Sequence, residues 1–217
     1  MDRVTDAAAG FVVADLVAAI NANRAYLSEI DGAIGDGDHG INMSKGFTAA
    51  GVKLAASPGG LRHGLSVLGE TLLDGVGGSM GPLYGGFFGA MADALAGREA
   101  VDAAAFSAML AAGLSTIQDL GSAKVGDKTL LDALVPAREA FDAAVVGKRS
   151  FAQALEAMTA AADRGRDSTR DLVARVGRAS RLGERSRGVL DAGATSCALI
   201  LGTMAASLRK ALGGGAA

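Results

Sequence analysis

The 217-residue sequence contains no tryptophan, one cysteine, three prolines and two tyrosines. Because Cys197 is alone, an internal disulfide is excluded, and the scarcity of aromatic and β-branched residues disfavours a β-sheet protein. A net charge of -2 creates no field that would attract nucleic acid or an acidic membrane. The N-terminus does not resemble a signal peptide, and the most apolar run, residues 194–206, is too short to span a membrane. We therefore expect a cytoplasmic protein that binds neither nucleic acid nor membranes.

Alanine, leucine and other apolar residues make up half of the chain, which is a composition typical of helices. Apolar residues recur at steps of three and four, as in Val13, Leu16, Val17 and Ile20. This periodicity, with its glycine-rich interruptions, predicts eight helices near residues 5–25, 41–56, 61–74, 82–97, 102–119, 128–146, 150–174 and 193–211. No alternating run of strand length, internal repeat or linker separates them. We expect an all-α protein with one domain over residues 1–217.

One acidic stretch places Asp31, Asp36 and Asp38 within eight residues, and no Lys or Arg lies between Arg24 and Lys45. Carboxylates this close together repel one another, so a fold that gathers them needs a cation. All-oxygen ligands favour Mg²⁺, Mn²⁺ or Ca²⁺ over zinc. The interleaved glycines permit a tight turn on which the side chains converge. The stretch therefore predicts a metal-binding loop.

Two alternatives compete with this interpretation. An acidic, glycine-rich loop is more often a solvated turn than a metal site. An EF-hand would continue after Asp38 with a third oxygen ligand and a closing glutamate, but the chain has Gly40 and Phe47 at those positions. The EF-hand is therefore excluded.

Further glycine-rich segments lie between the predicted helices. Residues 77–82 run into a helix expected to begin at Pro82, where free backbone N–H groups favour an anion. Residues 121–129 resemble a P-loop, but Asp127 interrupts the spacing and no strand precedes it, so a Walker motif is excluded. Eight arginines lie in residues 164–187, mostly on an expected solvated face. Arg178 and Arg185 differ because small neighbours would allow close approach to phosphate. Together these segments suggest a site for Mg²⁺ and a nucleotide.

Four blocks of the chain resemble the nucleotide-binding L subunit of dihydroxyacetone kinases. They are residues 31–43 (DGAIGDGDHGINM), 77–85 (GGSMGPLYG), 126–137 (GDKTLLDALVPA) and 177–196 (GRASRLGERSRGVLDAGATS). The resemblance implies an eight-helix antiparallel α-barrel whose loops at one end hold ADP or ATP through two Mg²⁺ ions.

Position by position, the resemblance implies that Asp31, Asp36 and Asp38 are the magnesium ligands. It implies nucleotide contacts for His39, Gly40, Ile41, Asn42, Ser79, Met80, Gly121, Leu130, Arg178, Asp191, Ala192 and Gly193. No residue is assigned as a general base. Met80 stands where the family usually has serine, so Ser79 is expected to replace that hydroxyl. Ala192 stands where the family often has proline, so contacts to the adenine and ribose are expected to differ from the family's.

The function implied by this resemblance is that of a phosphoryl-transfer subunit. It would hold Mg-ADP or Mg-ATP and donate the phosphoryl group to dihydroxyacetone, or another short ketose, on a separate K subunit. Either ATP exchanges directly, or ADP is retained and rephosphorylated by a phosphotransferase-system protein, and the sequence leaves both cycles open. The alternatives are a nucleotide-sensing regulatory module and the nucleotide domain of a fatty-acid-type kinase. The latter group typically carries threonine where this chain has His39.

Overall fold

The computed structural model describes residues 2–214, which form nine α-helices. They are α1 (Val12–Ala22), α2 (Arg24–Ile34), α3 (His39–Ala56), α4 (Leu61–Gly75), α5 (Met80–Ala94), α6 (Ala103–Leu120), α7 (Leu131–Val146), α8 (Phe151–Ser168) and α9 (Ala192–Gly214). Short 3-10 turns cover Ala7–Ala9, Thr169–Asp171 and Arg178–Ser186. Two three-residue strands, β1 (Arg3–Thr5) and β2 (Ala100–Asp102), pair antiparallel with Val4 opposite Val101.

Eight of these helices form a closed ring. In order around the ring, α1 packs on α3, and α4, α5, α6, α7, α8 and α9 follow, with α9 returning to α1. The remaining helix, α2, packs against α3 and α9. The predicted all-α barrel is therefore confirmed, because the apolar stripes read from the sequence face a shared interior.

Aromatic side chains fill that interior in two groups. Phe88 contacts Phe47 and Phe87 with ring centroids 6.0 and 5.3 Å apart. The second group, Phe106, Phe141 and Phe151, joins α6, α7 and α8 with centroids 5.1–6.1 Å apart. Such pairs each add about 0.5–1.5 kcal/mol beyond the burial of apolar area. Cys197 is buried in the same core, as expected for a small packed side chain.

Helices α4 and α5 approach one another through glycines. A methyl group at Gly69 would lie 2.9 Å from the carbonyl oxygen of Gly85 and 2.8 Å from the backbone nitrogen of Gly89. Both distances are shorter than a normal van der Waals contact, so only glycine allows this spacing at position 69.

The N-terminal third departs from the predicted helices. The helix expected over residues 5–25 is divided into β1, a 3-10 turn and α1, and the chain turns at Asn23 into a second helix that carries Asp31. The side chain of Asn23 donates to the carbonyl of Ala19 at 2.9 Å, which closes α1. Apolar periodicity continues across this break, so the sequence pattern did not reveal it. The two strands are too short to show alternation.

Helix boundaries elsewhere also shift. α5 begins at Met80, so Pro82 is its third residue and not its first, and α8 ends at Ser168, before the predicted 174. By length and composition alone, α6 is the one described helix that would suffice to cross a membrane. That evidence is weak, because α6 is a wall of the ring and contributes Phe106, Met109 and Leu110 to the core.

Candidate functional site

Three carboxylates converge where α2 gives way to α3. Asp31 lies in the last turn of α2, and Asp36 and Asp38 lie in the short turn that follows. One oxygen atom from each lies within 4.8 Å of the others. Gly37 adopts a φ of +75°, and a methyl group at Gly35 would lie 2.5 Å from an Asp31 carboxylate oxygen. Glycine at both positions therefore lets the turn bring the carboxylates together.

This donor set fits a hard divalent cation. Three carboxylates at this spacing repel one another, and a cation relieves the repulsion. Mg²⁺ accepts one or two carboxylates and keeps several positions for water or phosphate oxygens, whereas zinc prefers nitrogen and sulfur ligands. The cluster is partly open to solvent, which leaves room for such additional oxygen ligands.

The cluster lies at the edge of a cavity of about 620 Å³ formed by four interhelix segments. Volumes of 300–1,000 Å³ are typical of small-molecule sites. Apolar side chains from the ends of α5, α6 and α7, namely Leu83, Ile117, Leu120 and Leu130, form part of the wall. The cavity thus combines acidic, cationic and apolar surfaces within one enclosure.

Most of the residues singled out in the sequence meet at this cavity. Its lining includes Asp31, Asp36, Asp38, His39, Ser79, Met80, Gly121, Leu130, Arg178, Asp191, Ala192 and Gly193. Gly40, Ile41 and Asn42 belong to the first turn of α3 and are not part of the lining. A methyl group at Gly40 would lie 2.0 Å from the carbonyl oxygen of Arg24, so Gly40 allows α3 to pack closely on α2.

Arg178 connects the arginine-rich segment to the carboxylates. Its guanidinium forms an ion pair with Asp36 while the side chain remains largely exposed. The preceding residue, Gly177, has a φ of +72°, which turns the chain toward the cavity. An arginine in this place brings a cation to the edge of the carboxylate cluster and can make bidentate contacts to a phosphate.

A buried polar network lies next to the carboxylate cluster. The hydroxyl of Ser196 lies 2.9 Å from Nε2 of His39 and 2.6 Å from the hydroxyl of Tyr84. Ser196 also donates to the carbonyl of Gly193 at 3.1 Å. These contacts join the starts of α3, α5 and α9 at a single oxygen atom. No local sequence pattern indicated Tyr84 or Ser196.

His39 differs from its expected setting in a loop, because it is the first residue of α3 and is only 8% exposed. Burial lowers the pKa of His39 to about 4, although the nearby Asp31 carboxylate acts in the opposite direction. A neutral imidazole is therefore present at neutral pH. Its backbone N–H donates to the Asp31 carboxylate at 3.3 Å, which ties α3 to the carboxylate cluster.

The cavity lining also contains a buried cation, Lys128, and a half-buried carboxyl group, Asp191. Lys128 is 2% exposed and donates from Nζ to the carbonyls of Thr169 and Val189, both at 2.5 Å. Burial lowers the pKa of Lys128, and the charge of Asp191 counteracts this. Burial raises the pKa of Asp191 to about 7, while its hydrogen bond from the Ala194 backbone N–H and the charge of Lys128 lower it. Sequence reasoning did not place Lys128 at the site.

Comparison with known proteins identifies the family. A model described as the DAK2 domain matches residues 33–206. The chain belongs to the DAK2 domain family. This DAK2 chain is 38% identical over 210 residues to "PEP-dependent dihydroxyacetone kinase 2, ADP-binding subunit DhaL" of Listeria innocua serovar 6a, covering 94% of the chain and 95% of that protein. It is also 38% identical over 186 residues to the corresponding "PEP-dependent dihydroxyacetone kinase, ADP-binding subunit DhaL" of Escherichia coli, covering 85% and 89%.

Longer proteins match the DAK2 chain over part of their length. "L-erythrulose 1-kinase" of Mycolicibacterium smegmatis is 36% identical over 196 residues, which is 87% of this chain and 33% of that kinase. The crystal structure of the dihydroxyacetone kinase of C. freundii in complex with AMP-PNP and Mg²⁺ superposes with a TM-score of 0.67 at 25% identity. That match covers 91% of this chain and 33% of the other, so the DAK2 chain spans about a third of the solved structure.

Proposed function

We propose that this DAK2 chain is the nucleotide-binding subunit of a dihydroxyacetone kinase. It binds ADP or ATP with Mg²⁺ in the cytoplasm and donates a phosphoryl group to a ketone bound on a separate K subunit. The observation that carries this proposal is the convergence of three carboxylates and Arg178 at one cavity of about 620 Å³. The match over 95% of an ADP-binding subunit gives it independent support.

Phosphoryl transfer depends mainly on positioning and on neutralising charge at the phosphate oxygens. Asp31, Asp36 and Asp38 are proposed to hold the magnesium, with two ions as the expected number. When bound, Mg²⁺ would supply positive charge to the β- and γ-phosphate oxygens. Arg178 is proposed to bind a phosphate from the opposite side of the cluster. The apolar wall near Leu120 and Leu130 would receive the base, since its leucine side chains can pack against an aromatic ring.

The remaining predicted contacts divide into two groups. Ser79, Met80, Gly121, Asp191, Ala192 and Gly193 line the cavity and are proposed to contact the nucleotide directly. Gly40 and Ile41 lie in the first turn of α3, so we propose that they act through backbone N–H groups at the positive end of the helix. The backbone N–H of Asn42 already donates to the carbonyl of Asp38 at 2.9 Å, so its proposed contact is made by its side chain. Asp38 is the N-cap residue of α3, and its side chain accepts no hydrogen bond from that turn.

The phosphoryl donor is proposed to be a phosphotransferase-system protein that recharges a retained ADP. Relatives from Listeria innocua and Escherichia coli are named PEP-dependent, and one from Lactococcus lactis is named PTS-dependent. A different short ketose is a second candidate acceptor, because kinases named for L-erythrulose and D-erythrulose are 35–38% identical to this chain. The K subunit would select between these ketoses.

Thermal unfolding with ADP tests the binding proposal. ADP with Mg²⁺ should raise the melting temperature, and EDTA should abolish the increase, because a ligand stabilises only the state that binds it. Asp36→Asn should lose the response, while Asp93→Asn, an exposed carboxylate at the end of α5, should keep it. Equal stabilisation by ADP in Mg²⁺ and in EDTA would refute the assignment of the three carboxylates.

A further inference from the structure

The block Gly126-Asp127-Lys128-Thr129 resembled a P-loop in sequence, yet the ammonium group of its lysine donates to two backbone carbonyls. We propose that Lys128 is a positioning residue that clamps the base of the arginine loop, defined as residues 172–191, and thereby holds Arg178 at the carboxylate cluster. The buried ammonium group of Lys128 links the segment that precedes α7 to the two ends of the arginine loop, which are distant from it in sequence. The proposed clamp lies at the site of the proposed function. Only its predicted effect on nucleotide affinity depends on that function.

The geometry of Lys128 is that of an internal cation and not of a surface lysine. Its side chain is almost fully buried, and its backbone has a φ of +63°, which few non-glycine residues adopt. Nζ donates to the carbonyl of Thr169, three residues before the arginine loop, and to that of Val189, near its end. Burying a lysine is costly unless its charge is compensated, so two carbonyls and the nearby Asp191 account for its presence.

Backbone contacts at the same place show that this is the base of the loop. The N–H of Gly188 donates to the carbonyl of Arg170 at 2.7 Å, and the N–H of Asp191 donates to the hydroxyl of Thr169 at 2.9 Å. The residue before the lysine contributes as well, because the N–H of Arg175 donates to the carbonyl of Asp127 at 3.1 Å. Residues 127 and 128 therefore contact both the entry and the exit of the loop.

Within the loop, Ser186 bonds its two halves. Its hydroxyl accepts from the N–H of Ala174 at 2.9 Å and donates to the carbonyl of Gly183 at 2.6 Å. A loop that is bonded internally moves as one piece when its base is released. The position of Arg178 relative to Asp36 is then set largely at the base, by Lys128.

The direct test is proteolysis without any ligand. Lys128→Met removes the ammonium group and keeps a side chain of similar length, leaving two buried carbonyls without their donor. Digestion with an arginine-specific protease, followed by mass spectrometry, measures cleavage after the arginines in residues 175–187. This cleavage should accelerate at least about tenfold if the loop opens more often. The matched control is Lys124→Met, at an exposed lysine four residues earlier, which should cleave like the parent.

Nucleotide affinity then separates positioning from general loosening. Lys128→Met should weaken Mg-ADP binding about tenfold, because Arg178 is displaced from the cluster. In an Arg178→Ala background the same change should add little further loss, since the two residues act through one contact. A similar loss in both backgrounds would show that Lys128 acts independently of Arg178 and would overturn the proposal.

A second variant and the binding of Mg-ADP by the parent distinguish failure of the clamp from failure to fold and from failure of the proposed function. If Lys128→Met fails to fold, Lys128→Gln, which is uncharged and shorter but retains an amide donor, should show the same changes to a smaller degree. Unchanged cleavage in whichever variant folds would overturn the clamp. If the parent does not bind Mg-ADP at all, the proposed function fails, while the cleavage rates still decide whether Lys128 holds the loop.

Discussion

The guanidinium of Arg178 forms an ion pair with Asp36, one of the three carboxylates that converge at the cavity. The arginine loop and the acidic turn therefore meet at one side chain. A metal ion at the cluster and the Arg178 guanidinium would both neutralise the negative charge of Asp36. Removal of the arginine should therefore strengthen metal binding and weaken nucleotide binding.

Arg178→Ala should weaken Mg-ADP binding about ten- to hundredfold, because a charge-assisted hydrogen bond contributes roughly 1.5–3 kcal/mol. Binding of Mn²⁺ alone should become stronger, because Asp36 loses a competing cation. Calorimetric titration of each ligand measures both affinities. Arg178→Lys should recover only part of the nucleotide affinity.

Arg164→Ala is the control for charge, since Arg164 lies exposed on α8. It should leave both affinities close to those of the parent. If Arg178→Ala binds Mg-ADP as tightly as Arg164→Ala does, Arg178 makes no phosphate contact.

The isolated chain should not phosphorylate dihydroxyacetone, because the acceptor is proposed to bind on a K subunit. A coupled assay with purified K subunit should show turnover only when both chains and a phosphoryl donor are present. Supplying ATP or a PEP-driven phosphotransferase mixture in parallel would identify the donor. Robust phosphorylation by the chain alone would contradict the two-subunit proposal.

Ser196→Ala should lower the free energy of unfolding by about 1–3 kcal/mol, since it leaves Nε2 of the buried His39 without this partner. Tyr84→Phe should cost less, because Ser196 keeps its bond to Gly193. The double variant should lose less than the two separate losses combined, because the groups share one network. Urea unfolding measures all three.

The control for a lost serine hydroxyl is Ser66→Ala, whose bond to Glu70 lies at the surface. It should change the free energy of unfolding by no more than about 0.5 kcal/mol. Additive losses from Ser196→Ala and Tyr84→Phe would show that the three hydrogen-bonding groups act separately.

Asp191 should make stability decrease with rising pH in the absence of divalent metals. Its folded pKa of about 7 exceeds the ordinary aspartate pKa of 3.8, so the folded state holds the proton more tightly. The resulting stabilisation is fully present below pH 4 and is lost as the pH rises through 7. Between pH 5 and 8 this contribution should fall by about 2–3 kcal/mol.

Asp191→Asn provides the comparison, because asparagine can still accept a hydrogen bond from the Ala194 N–H but does not titrate. Relative to the parent, this variant should gain stability from pH 5 to pH 8 in urea unfolding. A constant difference over that interval would show that Asp191 titrates normally in the folded chain.

Gly69→Ala should lower the free energy of unfolding by about 1–3 kcal/mol, because its methyl group would collide with the backbone of α5. Gly89→Ala is the matched control in the facing helix, since a methyl group there meets no atom within 4 Å. That control should be neutral or stabilising by up to about 1 kcal/mol. Similar losses at both positions would contradict the close packing of α4 on α5.

The acidic cluster could be predicted from sequence because Asp31, Asp36 and Asp38 are close along the chain and separated by glycines. Arg178 was different: its small neighbours singled it out together with Arg185 among eight arginines, and only the family resemblance chose between the two. Its contact with Asp36 depends on how the barrel closes, which no local pattern records.

Lys128 could not have been found by such reasoning. Lysine is usually exposed, and the partners of this one are backbone carbonyls of Thr169 and Val189, which carry no side-chain signal. The break at Asn23 was missed because the apolar period continues through it. The Ser196 network was missed because its members lie on three different helices.

The ring of helices closes only when α9 packs against α1, and this order has a consequence for synthesis on the ribosome. The acidic turn emerges early, while Arg178 and the α9 residues that complete the cavity emerge last. A nascent chain therefore exposes an open arc of apolar helices, and its three carboxylates lack their partners until α9 has been synthesised. Before that point the nucleotide site is incomplete, so nucleotide binding cannot stabilise the nascent chain. Aggregation of the exposed apolar helices must then be limited by chaperones or by rapid closure of the ring.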